Sequence, residues 1–313
     1  MNSFSLKFKL LTAFFVISLV PLVITGYLSL KKSTQFLEDS ELEKINATNV
    51  FKEKAIYTYF ETIKNQLILM SNKTYVVSAL MDFTDSFSKI ASDKNFTALE
   101  KVVAKTELTK FYEKIFAEEF KKKNPDSNLD FSSYAAQLPV EAQLAQYVFI
   151  ANNPKPLGSK HEMISTTDKS SYSKFHEKHH VNFTAVLNGF GFYDIFLVDK
   201  KGTVVYSVYK EIDYATNLVE GRFSNTGLAM AYKKALQMEK GGVYLQDFNP
   251  YLPSYLAPAS FVSTPLYFNN ELQGVLVVQV PINKINEVVL DRTGLGEKGE
   301  TYMVGPDSLL RSD

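Results

Sequence analysis

The sequence predicts an α+β protein: one antiparallel sheet with helices packed on it, reached through a long N-terminal helix. Three observations carry this. Residues 192–208 (FYDIFLVDKKGTVVYSV) place two runs rich in β-branched and aromatic residues on either side of Asp199-Lys200-Lys201-Gly202, the pattern of a β-hairpin. A helical pattern and then three strand patterns in succession follow it, which favours one antiparallel sheet over parallel β-α-β units. Upstream, residues 33–80 contain no Pro or Gly, and Ile56, Tyr59, Ile63, Leu67 and Met70 recur at steps of three and four along one helical face.

The 313 residues suffice for one large or two modest domains with a sizeable core. Thirty-four basic residues balance 34 acidic ones, so no global field draws the chain to nucleic acid, and no nucleic-acid partner is expected. The absence of cysteine rules out disulfides, Cys-ligated zinc and thiol nucleophiles.

Residues 10–30 carry no charge and are long enough to span a hydrocarbon core of ~30 Å as a helix. The run exceeds the apolar segment of a secretory signal, and no small-x-small cleavage site precedes Lys31, so an uncleaved membrane anchor is expected. Lys7 and Lys9 on one side balance Lys31 and Lys32 on the other, so charge does not fix the orientation. The helix beyond the anchor reads either as part of a bundle or as a stalk that pairs with its counterpart in a dimer. Residues 82–150 continue as amphipathic helix with polar breaks, and residues 172–188 form a further helix. That helix carries His176, His179 and His180 on one face, where three histidines invite a metal hypothesis. Although HEKHH spells the His-Glu-x-x-His order, no metal is expected, and the histidines read as a hydrated surface that charges at mildly acidic pH.

After the hairpin, residues 226–240 read as a helix closed by Gly241-Gly242. Residues 243–248, 259–268 and 272–280 read as strands, with 249–258 as a loop and Asn269-Asn270 as a hairpin turn. Strand alternation puts Ser260, Val262 and Thr264 on one face and leaves open which face is inward.

The anchor, the long helix, YDIFLVDKKGTVVYS and the later run APASFVSTPLYFNNELQGVLVVQVPINKINEV together resemble the double Cache extracytoplasmic sensor region of bacterial transmembrane receptors, found in chemoreceptors, histidine kinases and nucleotide cyclases. The resemblance implies a PAS-like sheet and divides the chain as follows: a cytoplasmic tail (1–9), the transmembrane helix (10–30), a stalk and helical region (31–188), a membrane-distal Cache module (189–281) and a connecting helix and linker (282–300). A partial echo of the first hairpin at Tyr302–Ser308 suggests that residues 301–313 are the incomplete start of a membrane-proximal module, in a chain truncated at its C-terminus. It further implies a homodimer in the inner membrane with its bulk in the periplasm, binding a small molecule and using no cofactor.

In that family the ligand lies between the sheet and a covering segment, which maps here to residues 210–222 and 249–258. The candidate ligand-binding residues are therefore Tyr206, Arg222, Asp247, Tyr251, Tyr255, Ser260, Thr264 and Gln279. The amino-acid-sensing branch carries Arg-x-Trp and Tyr-x-Asp, whereas Arg222 is followed by Phe223-Ser224 and Tyr251 by Leu252-Pro253; a standard amino-acid ligand is not expected. The expected function is ligand sensing for a methyl-accepting chemotaxis-type receptor, with a histidine kinase or cyclase sensor as the alternative. A membrane-tethered structural or partner-binding ectodomain is the alternative of another class. An enzyme is not expected, because the sequence has no nucleophile elbow, phosphate loop or candidate thiol.

Overall fold

The computed structural model describes residues 5–93, 96–296 and 298–312. Residues 1–4 of the expected tail, residue 297 of the linker and residue 313 at the end of the expected second module lie outside them. The chain divides into two compact units, one from Met1–Tyr57 and Glu287–Arg311, the other Thr58–Asn286.

In the first unit, helix α1 (Leu6–Ser71) contains the apolar run, and it is the helix among the described residues that is long and apolar enough to cross a membrane. Pro21 lies inside it, where the proline ring displaces a helical hydrogen bond, and Thr25 Oγ1 bonds back to the Pro21 carbonyl at 2.5 Å. Further along, Lys52 Nζ donates to the Val289 carbonyl at 2.8 Å and to Thr301 Oγ1 at 2.8 Å, so an ammonium satisfies the C-terminal end of α8 (Ile282–Val289). Residues 303–311 make a short turn with one bridge between Val304 and Leu310.

The second unit holds the sheet. The uninterrupted helix expected over residues 33–80 is two helices, α1 and α2 (Thr74–Asp93). The break has a local cause: the Asn72 side chain donates to the Ile68 carbonyl at 2.8 Å, taking an acceptor at the end of α1. Helix α3 (Ala98–Lys110) opens with a Thr97/Glu100 capping box and runs through a π-helical turn at Phe111–Phe116 into α4 (Ala117–Lys123). Helix α5 (Val140–Gln146) follows Pro139, and α6 (Ser171–Phe190) ends at Gly191, whose φ of 74° permits the left-handed cap.

Strands β1 (Asp194–Asp199), β2 (Val204–Ser207), β3 (Tyr244–Tyr251), β4 (Ala257–Phe268) and β5 (Glu271–Val280) form one antiparallel sheet in the order β2-β1-β5-β4-β3. Helix α7 (Gly227–Ala235), capped by Thr226, joins β2 to β3 and is shorter than the helix expected over 226–240. The loop expected at 249–258 is largely strand: β3 continues past a bulge between Gln246 and Asn249, and only Leu252–Ser254 turns. Asn269 and Asn270 have φ of 48° and 63°, as a type I′ hairpin requires.

Residues paired across an antiparallel ladder share a face. Leu197, Tyr206, Leu276 and Thr264 are linked by register and lie on the face packed by α2 and α6, where the Phe83 ring stacks on Tyr206 at 4.7 Å. Asp194, Gln279 and Phe261 are linked in the same way on the opposite face, with α7 and the chain leaving β2. Ser263 Oγ donates to the Ala231 carbonyl of α7 at 2.8 Å on that side. Both faces are therefore covered, and β1 and the central part of β5 are buried throughout.

Helix α6 corrects one expectation. His176, His179 and His180 are buried, not hydrated, and the described residues contain no cluster of side chains suited to a metal ion. The helix packs against α2 and reaches the sheet, and its histidine face is the inward one: His179 bonds Asp82 of α2 at 2.7 Å and His180 bonds Tyr206 of β2 at 2.7 Å.

Gly274 faces the Val198 carbonyl so closely that a Cβ would lie 2.2 Å from that oxygen. Gly274→Ala is expected to lower stability by about 3 kcal/mol or more through overpacking between central strands, measured by urea unfolding. A loss under about 0.5 kcal/mol would show that the β1–β5 spacing yields without cost.

Candidate functional site

The site is built on the chain leaving β2. Asp194, the first residue of β1, is fully buried, and its Oδ1 accepts from the backbone N–H groups of Ile195 (2.6 Å), Val208 (2.9 Å) and Tyr209 (3.1 Å). A single carboxylate thus turns the chain from β2 across the end of the sheet. The turn carries Lys210, at φ 59°, and Ala215, at φ 65°, into the left-handed region, which costs a residue with a side chain of order 1–2 kcal/mol and is held by the surrounding contacts.

From the helical side, Gln146 donates to the carbonyls of Ile212 (3.2 Å) and Tyr214 (2.6 Å), and its own amide oxygen accepts from Tyr112 (2.7 Å). Tyr214 continues the network by donating to the Tyr172 hydroxyl at 2.8 Å, which donates to the Val205 carbonyl at 2.6 Å. These bonds fix residues 208–218 as a rigid cover rather than a loose loop.

Four ionisable groups collect beneath it. Tyr251 donates a short hydrogen bond to Asp213. Glu211 accepts from Tyr193 at 2.9 Å and from Ser254 at 2.9 Å, and Gln279 donates to the same Ser254 at 3.2 Å. Lys210 is 3% exposed; its ammonium donates to the Ser207 carbonyl and lies 4.2 Å from the Tyr206 ring centre, 5.2 Å from Tyr214 and 5.8 Å from Phe149. Burial raises the carboxyls of Asp194, Glu211 and Asp213 above the ordinary range, and the nearby Asp213 charge lifts Asp194 and Glu211 further. Burial pulls Lys210 down, against the opposing pull of Asp194.

A cavity of about 120 Å³ opens beside these groups. Tyr193, Tyr209, Lys210 and Glu211 line it from the sheet side, Phe116 and Ile150 from the helices, and Lys160, Pro253 and Tyr255 from the connecting segments. Lys160 is buried, and its ammonium donates to the Asn153 carbonyl at 2.7 Å.

Of the eight residues singled out from sequence, Tyr255 lines this cavity, and Tyr251 and Gln279 stand behind it in the hydrogen-bond network. Arg222 borders a second cavity of about 240 Å³, where its guanidinium bonds to Gln137 (2.5 Å) and Ser133 (3.1 Å) and lies 3.8 Å from the Tyr134 ring centre. Tyr206 contributes its ring to the Lys210 cage from the α2/α6 face. Ser260 and Thr264 lie on that helix-covered face, Ser260 bonding the Gln246 carbonyl at 2.7 Å, and Asp247 falls on the β3 bulge. Asp194, Lys160, Lys210, Glu211 and Asp213 were not singled out. A lone acid opening an otherwise apolar strand, in YDIFLV, and the charges in VYKEIDYATNL, flanked by apolar residues, were the available signals.

A broad depression of about 930 Å³ lies along α2 and the β1–β2 turn, lined by Asp85, Lys200 and Gln273 among others and by none of the eight.

No family model matches the sequence, and no curated protein matches it. Among solved structures, the sensor domain of the V. cholerae histidine kinase DctB aligns at 14% identity and TM-score 0.30, over 60% of this chain and 61% of that one. The ligand-binding domain of the Campylobacter jejuni chemoreceptor Tlp3 in complex with 4-methylisoleucine aligns at 11% identity and TM-score 0.30, over 77% of this chain and 72% of that one. That of the Pseudomonas fluorescens chemoreceptor CtaA in complex with L-serine aligns at 12% identity and TM-score 0.31, over 70% and 71%.

The histidines yield a pH prediction. His180 Nε2 lies 2.6 Å from the His161 carbonyl, which can only accept, so Nε2 carries the proton and Nδ1 accepts from the Tyr206 hydroxyl at 2.7 Å. Burial and the Lys210 charge push His180 down to about 3, below its unfolded value of about 6.5. The folded state therefore binds fewer protons than the unfolded state between those values, and stability is lost as pH falls through that window. The stability advantage of the wild type over His180→Gln is expected to be largest above pH ~6.5 and to shrink by up to about 1.4 kcal/mol per unit below it, read from urea unfolding across the window. A difference independent of pH would show that His180 titrates normally.

Proposed function

We propose that this chain is the extracytoplasmic ligand-sensing portion of a transmembrane signal-transduction receptor, of the methyl-accepting chemotaxis type. The observation that carries the proposal is the cavity beside Lys210 and Glu211: a small pocket under a rigid cover, lined by buried ionisable groups. Residues 10–30 anchor the chain in the inner membrane, and the sheet unit stands on the periplasmic side. Residues 189–281 act as the sensor module, and 301–313 begin a second. Ligand binding shifts the receptor between two arrangements to the extent that it prefers one of them. The functional residues are those lining the cavity, with Tyr251 and Gln279 supporting them; Tyr206 cages Lys210, and Arg222 serves the second cavity. Turnover is not part of the role.

The sensor reading carries a dimer with it, and α1 supplies a surface for one. Beyond the anchor, Phe36, Leu37, Leu42, Val50 and Phe51 are each more than half exposed, an apolar stretch that a second copy would cover.

The test is titration calorimetry of the full chain in detergent micelles against metabolite sets covering acids, amines, sugars and amino acids, with thermal unfolding alongside. A bound ligand at about 100 times its Kd is expected to add about 2.7 kcal/mol of stability. A folded protein that binds none of these would overturn the sensor reading. Sedimentation of the same material is expected to give a dimer, and a monomer over the whole accessible concentration range would remove the α1 pairing.

A further inference from the structure

The outer histidines of the HEKHH run on α6 have no part in the sensor reading, yet they tie down a long connecting segment. Residues 152–170 leave the π-helical turn at Tyr147–Ala151 and return at the start of α6, with a single 3-10 turn at Lys160–Glu162 on the way. His176 Nδ1 lies 3.0 Å from the Ile164 carbonyl, and His180 Nε2 lies 2.6 Å from the His161 carbonyl. A carbonyl only accepts, so each neutral ring directs its one N–H to this segment. The two rings stack at 4.3 Å, and each residue is 1% exposed. Residues 157–164 in turn border the cavity through Leu157, Gly158 and Lys160.

The surroundings of the pair are hostile to a further proton. His176 Nε2 is buried with no partner among the described residues, so a proton there would find no acceptor, and His180 Nδ1 already accepts from Tyr206 at 2.7 Å. The chain leaving β2 contributes the like charge of Lys210, which acts on both rings, and the connecting segment contributes His161. The turn at Tyr147–Ala151 offers only the Phe149 ring, 4.5 Å from His176. Helix α2 does carry a carboxylate, Asp82, but it bonds His179 instead, and the described residues place no carboxylate within 4.0 Å of His176 or His180. Burial and the Lys210 charge hold both rings well below the ordinary histidine range.

We propose that residues 157–164 are an acid-released strap, kept shut by His176 and His180 while both are neutral and let go when both take up a proton, which opens the wall of the cavity. Freed of the strap, the rings meet water, where an imidazole titrates near ~6.5. Below that pH the closed form binds fewer protons than the released form, so closure weakens as pH falls, by about tenfold per histidine per unit and about a hundredfold for the pair. The strap yields before the fold does, because a segment without regular structure opens at a lower cost in free energy than the sheet. The device acts on the cavity whatever enters it and does not rest on the sensor reading.

The chain has no tryptophan, so one introduced by Met163→Trp, where the side chain packs partly buried against the core, reports on the strap alone. In the full chain in micelles, its emission is expected to move to the red and its quenching by acrylamide to rise as pH falls from about 7.5 to about 4.5, with the onset near ~6.5. Phe268→Trp, at the end of β4, and the far-ultraviolet circular dichroism are expected to stay constant over the same range. In the Met163→Trp background, His176→Gln with His180→Gln keeps a donor for each carbonyl but cannot titrate, and is expected to hold the strap shut throughout, whereas His179→Gln leaves the response in place. Should the double variant fail to fold, either single variant is expected to reduce the steepness from about a hundredfold to about tenfold per pH unit. Should Met163→Trp itself fail to fold, a nitroxide on Ser159→Cys, in a chain without native cysteine, reads the same event as a gain in mobility. A strap reporter indifferent to pH, one that changes only together with the Phe268→Trp reporter, or a response that survives both glutamine substitutions overturns the proposal.

Discussion

The second unit depends on one buried carboxylate. Asp194 sits at the first position of a strand with no exposed residue, where an unpaired charge would cost several kcal/mol. Three backbone N–H groups meet its Oδ1, two of them from the chain that has just left β2. Those bonds decide where residues 208–218 go, and with them the cover of the sheet, the positive φ of Lys210 and the rim of the cavity. Its other oxygen, Oδ2, is buried and has no hydrogen-bond partner among the described residues. Burial and the neighbouring Asp213 charge push that carboxyl up, toward its neutral form.

The helices supply the remaining constraint. Helices α2 and α6 close one face of the sheet, and the segment from α3 to α5 reaches round to hold the cover through Gln146 and Tyr112. Aromatic packing runs along this segment: Phe116 meets Phe131 at 5.0 Å and stacks on Tyr255 at 5.2 Å, which brings the β3–β4 connection against the helices. The cavity is the space left where the sheet end, this aromatic layer and the 150–160 segment converge.

The elements were legible because they follow from periodicity. The five strands, the Asn269-Asn270 turn and the amphipathic helices are each set by residues close in sequence, and the α+β class follows from their order. The break between α1 and α2 was missed because it turns on one asparagine side chain competing for a backbone carbonyl. The site was legible only in part. Tyr255, Tyr251 and Gln279 fall within or behind the cavity, but Ser260 and Thr264 point to the helix side, a matter of register that alternation alone leaves undecided.

By itself, then, the sequence determined an apolar segment long enough to cross a membrane, an antiparallel α+β unit beyond it, and the absence of any thiol. These depend on composition and on spacing within a few residues. Tertiary structure alone decided that His176, His179 and His180 are core residues, that Asp194 and Asp213 lie beside one another's charge, and that Lys160 and Lys210 line the same cavity. Each of those facts joins residues distant in the chain, and the free energy of a buried charge depends on every neighbour that folding brings to it.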